Sequence, residues 1–214
     1  MKTIDKLFLP LLATGLLAAC AATLAASNVP APLADFGESA EGAYDHSAAN
    51  DWTKAEADVA ELKTGLAKLA AEKIGPAAEF TATTTALEKS VKAKDRLSAM
   101  TAANELTRLA AEASRSFGPA IPVDVTLLDC VGRDVENAVE KADTARVKTA
   151  VTAVRAAWDK ARPLVEAQKP KGVKPAAEFS ATVAELEKTS GLKQTGTLAK
   201  HLLDQVDDLE KVFP

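Results

Sequence analysis

The chain has 214 residues and is 47% hydrophobic but only 4% aromatic, so its apolar content is mostly Ala, Val and Leu. Ala alongside abundant Glu and Lys favours helix, because Ala loses no side-chain entropy and long charged side chains keep most of theirs; long β-branched runs are few, which predicts an all-α protein. A formal net charge of −4 argues against nucleic acid as partner, which needs a basic face to displace counterions.

Residues 1–19 have the layout of a signal peptide. Lys2 and Lys6 precede the apolar run LFLPLLATGLLAA, which is shorter than the roughly 20 residues a helix needs to span a bilayer. The run ends in Leu17-Ala18-Ala19-Cys20, an aliphatic residue, two small ones and a cysteine. These four residues resemble the lipobox of bacterial lipoproteins. The resemblance implies cleavage before Cys20 and a diacylglycerol on its sulfur, and Ala21 in place of Asp leans the implied destination to the outer membrane. Several acyl chains hold a protein on a membrane far more firmly than one. The alternative is a plain cleaved leader ending at Ala26, which would release a free periplasmic protein. Residues 20–34 read as lipid attachment followed by a small, Pro-containing, uncharged tether.

From Asp35 the pattern turns helical. The stretch 35–50 holds two glycines and is the weakest helix of the chain. Asp51 is placed to cap a longer helix, with Ala55, Val59, Leu62, Leu66 and Leu69 on one face. Pro76 opens a third helix, lined by Phe80, Leu87 and Val91. Asp95 caps a fourth, with Ala103, Leu106, Ala110, Ala113 and Phe117 along its seam.

Residues 118–124, GPAIPVD, cannot continue a helix and form a linker, with Asp124 placed to cap the next segment. Leu128, Val131, Val135, Ala138 and Ala142 then recur at helical spacing. Asp143 caps a helix with the seam Val147, Val151, Val154, Trp158, Ala161 and Val165, in which Pro163 predicts a kink. Pro175 opens another, carrying Phe179, Val183 and Leu186, and the last carries Leu202, Val206, Leu209 and Phe213.

One stretch occurs twice. PAAEFTATTTALEK at 76–89 and PAAEFSATVAELEK at 175–188 share ten of fourteen positions without gaps, which reads as an internal duplication. The segments after Asp51 and Asp143 also match, with a basic fourth residue, valine at the ninth and an aliphatic residue at the twelfth. The Asp-to-Pro span is one heptad longer in the second half, which lengthens a helix with little rotation of its apolar face. The predicted architecture is therefore two tandem antiparallel four-helix-bundle-like repeats, residues 35–117 and 125–214.

Candidate chemistry is sparse. His46 and His201 are the only histidines; His201 and Asp204 share a helix face, but the Glu-x-x-His pairs of bundle metal sites do not occur. No Gly-rich phosphate loop, GxSxG, HExxH or CxxC motif is present. Cys130, in the apolar run TLLDCV, and Met100 read as core residues. Trp52 reads as packed against its neighbouring helix. The charge runs 87–96 and 204–211 read as solvated faces. Lipidation at Cys20 is the one assigned site, with no catalytic, cofactor-binding or metal-binding residue. The residues point to a non-enzymatic, lipid-anchored envelope protein that contacts a protein partner; the alternative is a periplasmic bundle binding a small molecule or metal.

Overall fold

A computed structural model of the chain describes residues 28–214; the signal peptide, Cys20 and most of the tether lie outside the described residues. Among those residues there are eight α-helices and no strand: α1 Ala31–Ala48, α2 Trp52–Glu72, α3 Ala77–Lys92, α4 Arg96–Ser114, α5 Val123–Glu140, α6 Thr144–Glu166, α7 Val173–Lys188 and α8 Leu192–Glu210. A short 3₁₀ turn, Arg115–Phe117, follows α4. The protein is all-α.

Each half closes on itself. Helices α1 to α4 pack in sequence and α1 returns against α4; α5 to α8 do the same, with α5 against α8. Each ring has its own core, one built from residues between Leu33 and Ala110 and the other from residues between Val125 and Val212. The rings meet chiefly where α4 packs against α5, and α1 also touches α5. The repeated phenylalanines, Phe80 and Phe179, are fully buried in their respective cores.

Corresponding helices share lengths as well as order. α1 and α5 each have 18 residues, α3 and α7 each 16, and α4 and α8 each 19. Both α1 and α5 start on a proline cap, Pro30 and Pro122, with nearly the same backbone angles. Both end in a turn whose middle residue has positive φ, 58° at Asn50 and 53° at Ala142. The next residue, Asp51 or Asp143, caps the following helix by accepting from the backbone N–H three residues on. The α3–α4 turn repeats this scheme with Lys94 (φ 54°) and Asp95. In all three turns the aspartate N–H donates to the carbonyl five residues back, closing the preceding helix as a Schellman motif.

Several expected boundaries move. α1 begins at Ala31, so the tether loses its last four residues, and Leu33 is buried at 1% exposure. Both its glycines lie within the helix, and Gly42 lets it lie close to α2, since a Cβ there would sit 3.2 Å from an Asp58 carboxylate oxygen. α5 starts at Val123, two residues inside the expected linker, and Asp124 lies in its first turn instead of capping it. Pro76 is a cap outside α3, whereas α7 begins two residues before Pro175. Ala142 leaves its seam because it is the exposed left-handed turn residue. α6 runs on past Pro163 to Glu166, with the proline ring exposed.

Candidate functional site

The densest grouping of polar side chains lies where the rings join, and α5 is its centre. Four contacts run along the antiparallel α4–α5 seam. Arg96 pairs with Glu140, and Arg115 donates to both Asp124 oxygens at 3.0 and 3.2 Å. Between them, Arg108 donates to Asp134 at 2.6 Å. The amide of Asn104, itself buried, donates to the Cys130 carbonyl at 2.9 Å and to Asp134 at 3.0 Å. The cations lie on α4 and on the 3₁₀ turn that follows it, and their carboxylate partners lie on α5. That complementarity fixes which faces of the two rings meet and in what register.

On its other side α5 faces α1. Arg133 lies 4.6 Å above the Tyr44 ring and pairs with Asp129 at 2.8 Å, one turn back on its own helix. The Tyr44 hydroxyl donates to Asn137 at 3.4 Å. Burial, reinforced by Glu136, pushes the Tyr44 hydroxyl pKa well above the usual phenol range. Desolvation pulls on the Arg133 guanidinium, but Asp129, Glu41 and Asp45 outweigh it and hold the pKa up.

Around Arg133 gathers an excess of acid. Desolvation raises the carboxyls of Glu41, Asp129 and Glu136 above their ordinary range. It also lifts Glu210 on α8 to about 7, helped by repulsion from Asp129, Glu41 and Asp207. One guanidinium thus faces carboxylates from three helices, and the patch keeps net negative charge. Such a patch can steer and seat a cationic surface. The Cys130 thiol, on the same helix, is fully buried and pushed up to about 12 by desolvation.

The remaining sequence candidates occupy structural positions. His46 Nδ1 lies 2.6 Å from Asp58 Oδ2, tying α1 to α2. His201 and Asp204 are exposed on α8. Met100 is buried in the first core, and Trp52 packs against that core while half-buried. The run 87–96 contributes a Lys63–Glu88–Lys92 surface cluster. The run 204–211 is not wholly solvated, since Glu210 turns into the acidic patch. Cys20 lies outside the described residues. Among the described residues, no group of three or more His, Cys, Asp or Glu is arranged to hold a metal ion.

The chain matches no protein-family model, no curated protein and no solved structure.

The signal for the junction was present in α5, although no motif marks it. Beyond the seam Leu128, Val131, Val135 and Ala138, the helix also buries Val125, Cys130, Gly132 and Asn137. A helix buried on more than one face needs neighbours on more than one side.

Proposed function

We propose that the protein is a non-enzymatic, lipid-anchored module of the cell envelope that holds or contacts a protein partner. The observation that carries this reading is the α4–α5 seam, where charged side chains that could do chemistry are committed to joining two bundles. A rigid joined body suits presentation of a surface, and the acidic patch on α1, α5 and α8 is the surface with a chemical preference. The fitting partner presents Lys and Arg. Mooring would come from acyl chains on Cys20, as the lipobox resemblance implies, with the outer membrane as destination; among the described residues no helix is long and apolar enough to cross a membrane.

In-cell photocrosslinking from Asp45 and Asp207, both exposed at the edge of the patch, tests the partner. A discrete adduct from position 45 that is lost when Glu41 and Asp207 are changed to Lys supports the reading; the absence of any adduct from either position counts against it. Labelling with an alkyne-bearing palmitate analogue, compared between the natural chain and Cys20→Ser, tests the anchor separately.

A second reading, a bundle that binds a small molecule, is favoured by one feature: a groove between α6 and the α7–α8 turn with apolar walls and a cationic rim.

A further inference from the structure

The two rings differ at one end, and the difference leaves a site. α3 runs to Lys92, but α7 stops at Lys188, the repeat counterpart of Lys89. The second ring therefore has no equivalent of the turn Ser90-Val91-Lys92, whose Val91 is buried at 1% exposure in the first core. The connection that follows differs too. Thr189 is extended, and α8 starts on Gly191 with no side-chain cap, where α4 starts on Asp95.

At that end of the second ring lies a groove of about 550 Å³, within the range of roughly 300–1,000 Å³ common for small-molecule sites. Val147 and Val151 of α6, Leu186 of α7 and Leu192 of α8 give it apolar walls. Val147 and Leu186 are buried; Val151 and Leu192 are half-open. The charged lining is unequal. Arg155 is spent on Glu187, donating at 2.9 and 2.8 Å to its two oxygens. Lys148 and Lys188, also in the lining, make no ion pair among the described residues. Two unpaired cations over an aliphatic floor, on a chain of net charge −4, select an anion with an apolar tail.

We infer that this groove binds a medium-chain anionic amphiphile, its tail filling the place that Val91 occupies in the first ring and its carboxylate or phosphate head between Lys148 and Lys188. The inference rests on the second, ligand-binding reading and leaves the partner reading untouched, since crosslinking from the acidic patch on α1, α5 and α8 reports on a different surface. The two ideas therefore fail separately.

Calorimetric titration of the full chain with octanoate, octyl phosphate, octyltrimethylammonium and acetate tests it. Saturable one-to-one binding of an octyl anion, with none for acetate or the cation, is the expected result, and the tighter of the two anions names the headgroup. Lys148→Ala combined with Lys188→Ala, both exposed, should weaken binding about fivefold, the scale of screened surface charge, and Val151→Phe should fill the groove and abolish it. No saturable binding of either anion, equal binding of the cation, or an unchanged affinity in the double-lysine variant overturns the assignment.

Discussion

Arg108 of α4 and Asp134 of α5 meet at 2.6 Å across the boundary between the rings, and Asn104 binds the same carboxylate from one turn away. The carboxylate is shared by a charged and a neutral donor. Without it Arg108 keeps only Glu105 on its own helix, at 3.1 Å, and the Asn104 amide keeps only the Cys130 carbonyl.

Asp134→Ala should therefore destabilise the protein by about 1 kcal/mol, the scale of the hydrogen bonds lost across the boundary, discounted for the exposure of the pair. A double-mutant cycle with Arg108→Ala in urea unfolding should return a coupling energy well above zero. Strict additivity would show that the pair contributes nothing to the junction.

Ala142 stands at φ 53° in the turn between α5 and α6. An L-residue with a Cβ costs roughly 1–2 kcal/mol there, and Gly removes that cost while giving back about 0.4–1 kcal/mol in unfolded-chain entropy. Ala142→Gly should thus stabilise by up to about 1.5 kcal/mol, read as a higher denaturation midpoint. At Asn50, which holds the same place after α1 at φ 58°, glycine should gain less, because Asn tolerates this conformation.

Gly191 begins α8 at φ −88°, ψ 122°, and a Cβ there would meet no atom within 4 Å. Asp95, which begins α4, caps that helix through the Ser98 N–H. Gly191→Asp should restore the missing cap and stiffen the unfolded chain, for a gain of about 0.5–1 kcal/mol. Thermal unfolding is the check; a lowered midpoint would mean that the turn needs glycine for another reason.

Glu210 gives the fold a pH dependence of definite sign. Its folded pKa, about 7, lies above the roughly 4.3 of an unfolded Glu, so between these values the folded state holds more protons. Stability is greatest below the lower value and falls as pH rises towards 7. Asp129 and Glu41, raised for the same reason, act in the same direction. Glu210→Gln should be more stable than the natural chain at pH 8 and show a shallower slope between pH 5 and 7. Parallel midpoint curves for the two proteins would remove Glu210 from the account.

The seams were legible because helical spacing is local. Ala55, Val59, Leu62 and Leu69, and likewise Val154, Trp158, Ala161 and Val165, are buried where their periodicity puts them. The aspartate caps at 51, 95 and 143 were legible for the same reason. The start of α1 was not, because Pro-rich, small-residue sequence reads as linker until Leu33 and Phe36 are seen to reach a core. Nor was the α4–α5 ladder. Arg96, Arg108 and Arg115 look like ordinary surface charges until the fold sets α5 opposite them. Periodicity says which face of a helix is apolar; it does not say which other helix a charged face will meet.

The repeated phenylalanines keep different company. Phe80 meets Phe36 of α1 edge-on, with ring centroids 4.8 Å apart, and a Cβ on Gly65 would come within 3.0 Å of the Phe36 ring. Phe179 meets Trp158 of α6 at 4.6 Å, and the indole N–H donates to Ser180. A polypeptide that contains near-copies of one helix courts misassembly, each copy docking in the other's berth. Here a misplaced α3 would bring Thr81 to the indole in place of Ser180, and a misplaced α7 would reach the first bundle one turn short. The two near-copies are thus seated against different aromatic partners, a phenylalanine from the first helix of one bundle and a tryptophan from the second helix of the other.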